Sequence, residues 1–242
     1  MQEKQESWKV SVLTLFPEIY PGPLGLSIAG KALEEKLWQL NIYNIRDFST
    51  VRHSKVDDKP YGGGTGMVIR ADVLGNAIEK LQQQNQFDEI IYLSPRGNVF
   101  NQHEASRLST RNILFICGRY EGIDYRIIEY FNIKEMSVGD FILSSGDIAL
   151  ISVLDSCIRL LPNVLKKNDA IADESFSANE NHNGLLEYNH YTRPSVWKEL
   201  AVPEVLVSGN HAQVNQWRIK TSEELTKNNR PDLWNNYNKT KK

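Results

Sequence analysis

The chain has 242 residues, enough for one large domain or a main domain with a smaller companion. Hydrophobic residues make up 40% and mean hydropathy is −0.44, the balance of a globular protein with a real core, and no apolar run reaches the length of a membrane span. A formal net charge of −2 argues against indiscriminate nucleic-acid binding, while Cys117 and Cys157 lack metal-ligand spacing and read as buried thiols of a reducing compartment.

Residues 1–9 are polar and charged with no secretory signal, so the cytoplasm is the expected location. Val10–Leu15 reads as a buried strand that ends at Phe16-Pro17-Glu18. Leu26–Leu40 carries Ile28, Leu33, Leu37 and Leu40 at helical spacing, and Asn41–Ile45 looks like a second strand. Asp47–Gly66 is a polar, glycine-rich loop, long enough to imply a use. Its Pro60–Gly66 segment lacks the Gly-Lys-Ser/Thr ending of a nucleotide-hydrolysing phosphate loop. The glycines suit close approach of backbone amides to a bulky ligand or RNA, and Arg46, Arg52, His53, Lys55 and Lys59 add positive charge. A merely flexible surface loop is the plainer reading.

Ala71–Gln84 is helical, with Val73, Leu74, Ala77, Ile78 and Leu81 on one face. Glu89–Leu93 and Ile113–Cys117 are short apolar strands with a helix over Gln102–Thr110 between them. Unbroken β-branched strands alternating with helices predict an α/β fold whose mainly parallel sheet is covered on both faces. Three turns follow strands, at residues 94–97, 118–122 and 139–146, and parallel strands would set all three at one carboxyl edge. There, glycines and acids outline a ligand pocket beside the apolar helix Ile148–Leu161. On that helix Asp155 and Arg159, four residues apart, read equally as a surface ion pair and as groups turned toward a site.

Lys166–Gly184 is polar throughout and reads as an interdomain linker, with Asp173 and Glu174 as either a solvated acidic pair or functional carboxylates. Glu187–Pro194 interleaves aromatic residues with His190 and Arg193, a mixture that suits RNA or a packing strap. Asn210–Lys227 is helical, and Arg218, Lys220, Lys227, Arg230, Lys239, Lys241 and Lys242 make the end of the chain basic.

Six segments, in order and spanning about residues 9 to 235, together resemble the bacterial tRNA (guanine-N1)-methyltransferase family (TrmD type) of the knotted SPOUT superfamily. They are Leu13–Glu18, Asp57–Gly66, Cys117–Asp124, Val138–Gly146, His190–Pro194 and Ser208–His211. The resemblance implies S-adenosylmethionine as donor, guanosine 37 of tRNA as acceptor, and a deep trefoil knot through the three turns. It further implies a homodimer whose active sites draw on both subunits, an association with magnesium for which this sequence shows no metal cage, and a role in holding the reading frame.

The implied organisation is a catalytic domain over 1–165, a linker over 166–184 that is loose until RNA and donor bind, and a small, mostly helical tRNA-binding domain over 185–242. Donor-binding positions fall on Tyr92, Leu93, Ser94, Pro95 and Gly97, on Gly118 and Glu121, and on Val138, Gly139, Asp140, Phe141, Ile142, Leu143, Ser145 and Gly146. Arg159 matches the family's arginine at guanine O6. The family's general base is an aspartate immediately before Ser-Phe; here Glu174 holds that position, with Asp173 one residue earlier as competitor. Arg96 stands where the family turn often carries glutamine. RNA contacts are assigned to Arg52, His53, Lys59, Arg193, His211 and Arg218. The rival readings are a knotted methyltransferase acting on ribosomal RNA or ribose, and a non-catalytic RNA-binding protein of the same fold.

Overall fold

A computed structural model describes residues 7–165, 174–177 and 184–240. The chain divides into two compact units, Met1–Lys166 and Lys167–Lys242.

The first unit is built on five parallel strands in the order β2-β1-β6-β5-β7. These are β1 (Trp8–Thr14), β2 (Trp38–Asn44), β5 (Glu89–Val99), β6 (Ile113–Cys117) and β7 (Lys134–Ser137). Central β6, Ile-Leu-Phe-Ile-Cys, is buried at every position, which is why its sequence is apolar without alternation. Its side chains divide by parity between two cores. Ile113, Phe115 and Cys117 join Ile91, Leu93, Val10 and Val12 under α1 (Ser27–Glu34), α3 (Gln102–Leu108) and α5 (Gly146–Ile158). Leu114 and Ile116 join Ile90, Tyr92 and Leu13 under α2 (Ala71–Gln84) and α4 (Tyr125–Tyr130) on the other face. The parallel sheet covered on both faces is as the sequence predicts.

Several boundaries differ. The expected helix Leu26–Leu40 stops at Glu34, because Lys36 takes a left-handed φ of 59° and Trp38 already belongs to β2. Helix α4, absent from the sequence reading, follows the second glycine turn, and β7 (Lys134–Ser137) is the strand expected before the third. The expected long loop carries a small antiparallel hairpin of β3 (Asp57–Asp58) on β4 (Val68–Ile69), flanked by short 3-10 turns. Arg70 and Lys55 both reach Asp58, at 3.3 and 2.8 Å, and fasten the base of the hairpin.

The turn after Leu93 is a bulge rather than a strand end. Both Leu93 and Asn98 pair with Met136, so residues 94–97 form an extra loop between two pairings with one residue and the strand resumes beyond them. Gly97 lies directly on β7. A Cβ there would stand 2.2 Å from the Met136 amide nitrogen, so only glycine permits this approach.

The second unit contains the hairpin β8 (Val196–Trp197) and β9 (Leu200–Ala201), with helices α6 (Glu204–Val207), α7 (His211–Asn229) and α8 (Pro231–Thr240). Leu185, Ser222, Thr226 and Tyr237 are buried in it. The basic end of the chain is therefore helical as far as Thr240. The four described residues 174–177 of the segment read as a linker form a turn tied into this unit. The Phe176 amide donates to the Leu185 carbonyl at 3.1 Å, the Glu187 amide to Ser175 Oγ at 2.9 Å, and Arg230 lies over the Phe176 ring.

Candidate active site

The bulge of β5 and the carboxyl ends of β6 and β7 border a cavity of about 260 Å³. Tyr92, Leu93, Ser94 and Pro95 come from the first strand and Gly118 and Glu121 from the turn after the second. Val138, Gly139, Phe141, Ile142 and Leu143 follow the third, and Ser145 and Gly146 open α5. Parallel strands deliver all these turns to the same edge of the sheet. Tyr92 is buried, and burial raises its phenol pKa, so the hydroxyl remains a hydrogen-bond donor at neutral pH. A Cβ on Gly118 would meet the Tyr92 ring and hydroxyl at 2.7 Å, so the absent side chain leaves room for this wall.

The chemistry of the lining fits a nucleoside that carries positive rather than negative charge. Apolar side chains and backbone groups offer a slot for a flat base, and Glu121 supplies a carboxylate. Arg119, the cation in the lining, stacks over Phe16 at 4.8 Å, and no lysine joins it as a triphosphate would require.

Behind the third turn lies a buried polar knot of side chains. Asp147, 1% exposed, accepts from the Thr14 hydroxyl at 2.6 Å and the Tyr20 hydroxyl at 3.0 Å, both on Oδ1. Its Oδ2 accepts from the Ser145 hydroxyl, and the Asp147 amide donates back to Ser145 Oγ at 3.0 Å, capping α5. Tyr20 also touches Cys117 Sγ at 3.4 Å. Burial, with Cys117 and Asp147 adding to it, pushes the Tyr20 phenol far above its usual range. This network fixes the start of α5, and with it two cavity residues, against the end of β1.

The glycine loop closes on the second turn. The Glu121 amide donates to the Met67 carbonyl at 2.9 Å, the Ile69 amide to the Gly122 carbonyl at 2.9 Å, and the Asp124 amide to the Ile69 carbonyl at 3.0 Å. Gly66, at φ +95°, lies against Glu121; a Cβ there would stand 2.5 Å from Oε1.

A family profile described as tRNA (Guanine-1)-methyltransferase TrmD matches residues 8–236. This chain belongs to that family. Among its relatives, the tRNA (guanine-N(1)-)-methyltransferase of Rickettsia prowazekii (strain Madrid E) is 51% identical over 225 residues, covering 93% of this chain and 96% of the relative. Those of Ehrlichia ruminantium (strain Gardel) and Wolbachia pipientis subsp. Culex pipiens (strain wPip) are 47% and 49% identical, over 94% and 95% of this chain and 96% and 98% of theirs. Membership of a methyltransferase family implies use of S-adenosylmethionine.

Set beside the positions that the TrmD family resemblance names, most donor residues meet at the cavity, with two exceptions. Gly97 is spent on the close approach to β7, and Asp140 is exposed outside the lining. Arg119, Tyr120, Gly122, Met136, Ser137, Ser144 and Ala149 also line the cavity without a donor assignment from the sequence, although Arg119, Tyr120, Gly122 and Ser144 lie in the turns it marked as pocket walls. Five of them adjoin residues it did name, and treating each turn as a continuous wall would have found those; Met136 lies one residue further back on β7, and Ala149 follows from Gly146 by one helical turn.

Arg159 is half-buried at the C-terminal end of α5, whereas the cavity holds that helix's N-terminal end. The 13 residues of α5 place the two ends about 20 Å apart. Glu174 is half-buried in the 174–177 turn, and Asp173 lies outside the described residues. Among the assigned RNA contacts, Arg52, His53 and Lys59 are exposed around the hairpin, and Arg193 and His211 are exposed in the second unit. Arg218 is half-buried and stacks over Tyr188 at 4.7 Å, in an aromatic group with His190, Tyr191 and Trp217. The Tyr188–Tyr191 stretch thus packs as a strap on α7. Among the described residues no cluster of three or more His, Cys, Asp or Glu is placed to hold a metal, and no helix is long and apolar enough to cross a membrane.

Proposed function

We propose that this protein transfers a methyl group from S-adenosylmethionine to N1 of guanosine 37 in tRNA, in the cytoplasm, and so helps hold the reading frame. The carrying observation is the cavity formed by three glycine-bearing turns at one sheet edge, in a chain that matches the TrmD family over residues 8–236. Bound there, S-adenosylmethionine supplies a methyl group on a positively charged sulfur.

The chain's residues have three tasks. The turns hold the donor: backbone groups of 138–143 face its adenine, and Glu121 accepts from its ribose or amino group. Guanine N1 carries a proton, which a carboxylate must accept as the methyl arrives. Glu174 takes that role, with Asp173 as the competing base. Charge then moves onto O6, where the Arg159 guanidinium is most useful.

Arg159 and the cavity occupy opposite ends of α5, which supports a site composed from two copies of the chain. Leu26, Ile28, Phe141, Ile142 and Ile148 are exposed, Ile142 by 81%, and suit burial against a second copy. A deep trefoil knot through the three turns is what the family resemblance implies for this domain. In this reading residues 1–165 bind donor and perform transfer, 166–184 join the units, and 185–242 bind tRNA through Arg193, His211 and Arg218, with Arg52, His53 and Lys59 contributing from the hairpin. Transfer is expected to weaken when magnesium is chelated, as the family resemblance implies.

Methylation of unmodified tRNA transcripts that differ only at position 37 tests the assignment. Labelling of the guanosine form alone is expected. Equal labelling of both, or of ribosomal RNA, or at a ribose, overturns it, as does a protein that binds tRNA without methylating it.

A further inference from the structure

A hollow of about 410 Å³ opens at the opposite edge of the sheet, where the parallel strands begin. Trp8 and Lys9 open β1, Asp88 immediately precedes β5, and Ser109–Asn112 lead from α3 into β6. Lys36 and Leu37 come from the turn between α1 and β2, and Leu161 and Pro162 follow the end of α5. Lys9, Lys36 and Arg111 thus converge from three separate parts of the chain, all exposed, and no ion pair joins any of them to a described residue. The Asp88 carboxylate shares the lining, and its Oδ2 accepts from the Asn112 amide at 2.8 Å. Glu35, next to Lys36 in the chain, faces Lys31 at 3.6 Å. Carbonyls at the helix ends are also taken. The Trp8 indole donates to those of Leu108 and Arg111 at 3.0 and 2.9 Å, and the Leu37 amide to that of Ala32 at 2.9 Å. The hollow keeps a surplus of unspent positive charge, which suits an anion.

Its form selects among anions. Enclosing a free ion takes buried donors, whereas these three cations stand at an open mouth. The aromatic ring in the lining, Trp8, is 5% exposed, so no base can stack on it. Cations spaced along an open edge suit a phosphate backbone. The hollow also lies at the Arg159 end of α5, since Leu161 and Pro162 follow Arg159 by two and three residues. Resting on the reading above, in which that end serves a guanosine held at a second copy's cavity, we infer that Lys9, Lys36 and Arg111 grip backbone phosphates of the tRNA strand beside its target nucleotide. None of the three is among the RNA contacts assigned from sequence. They position the RNA without reading its bases.

Binding of an unmodified tRNA transcript across a range of salt concentrations tests this. The proteins compared are wild type, a triple variant with Lys9→Gln, Lys36→Gln and Arg111→Gln, and a charge-keeping variant with Lys36→Arg and Arg111→Lys. The triple variant is expected to bind about tenfold more weakly at low salt, with the slope of log affinity against log salt shallower by about two. The loss should be equal for transcripts altered at the nucleotides on either side of the target, and the charge-keeping variant should bind like wild type. S-adenosylhomocysteine affinity and the urea midpoint should not move, because the three side chains are exposed at the edge away from the donor cavity. An unchanged salt slope, a parallel loss of S-adenosylhomocysteine affinity, or weaker self-association in place of weaker RNA binding overturns the inference. Tight binding of inorganic phosphate, lost in the triple variant while tRNA affinity holds, overturns it as well. Failure of wild type to methylate guanosine 37 overturns the functional reading, whereas this inference is read from binding alone.

Discussion

The Thr14 hydroxyl donates to Asp147 Oδ1 at 2.6 Å with both residues buried, which joins the end of the first strand to the first turn of α5 across most of the unit's sequence. Asp147→Ala would leave the Thr14, Tyr20 and Ser145 hydroxyls without this acceptor in a dry interior. The expected loss is about 3 kcal/mol in urea unfolding. Donor affinity should fall as well, because Ser145 and Gly146 lose their anchor; a variant with unchanged unfolding and unchanged binding would show the network to be dispensable.

Gly66→Ala sets a methyl group against Glu121 at a backbone angle that side chains avoid. Gly63 provides the control, because it has a similar φ of +84° and open space around it. Gly66→Ala should lower donor affinity and transfer about tenfold, with Gly63→Ala well short of that. Donor titration and single-turnover transfer on both variants measure the difference.

The two carboxylates before Ser-Phe are separable by isosteric substitution. Glu174→Gln is expected to reduce single-turnover transfer by at least about a hundredfold with S-adenosylhomocysteine affinity intact, and Asp173→Asn to change it by only a few fold. The reverse pattern assigns proton removal to Asp173. Near-normal rates in both remove this segment from the chemistry.

Burial pushes the Cys157 thiol up to about 12, and burial followed by the charge of Asp147 raises Cys117 well above the ordinary thiol range. Raised thiol pKa values mean less thiolate at any given pH. At pH 8 only about one Cys157 in ten thousand is ionised, and both thiols are shielded. Ellman's reagent should therefore find almost no reactive thiol in the native protein, and both thiols after unfolding.

The sheet was legible because its strands are buried on both faces. Ile90–Leu93 and Ile113–Cys117 are buried at every position and so read as unbroken apolar runs, and no surface segment imitates that. Helix α1 was read too long because Leu37 and Leu40 continue its spacing by accident, while the Lys36 backbone turn leaves no compositional mark. Helix α8 was missed because asparagines dominate its exposed surface, and Trp234 and Tyr237 give only a short apolar signal. The cavity turns were visible through their glycines. Met136 and Ala149 were not, since a residue on a strand or helix becomes a wall only through the curvature of the turn beside it. The role of Gly97 is hard to read for a related reason. A glycine required by an adjacent strand and one required by a ligand look identical in sequence.

The length of α5 has a consequence for mass action. A cavity at one end of the helix and Arg159 at the other make turnover, in the proposed reading, a property of pairs of chains. Specific activity should fall on dilution below the self-association constant, while donor binding per chain stays constant. Two inactive variants, one damaged at Glu121 and one at Arg159, should regain activity when mixed, because one site of each hybrid pair receives two intact contributions. Had the helix been a few turns shorter, a single chain would have sufficed, and no such complementation could arise.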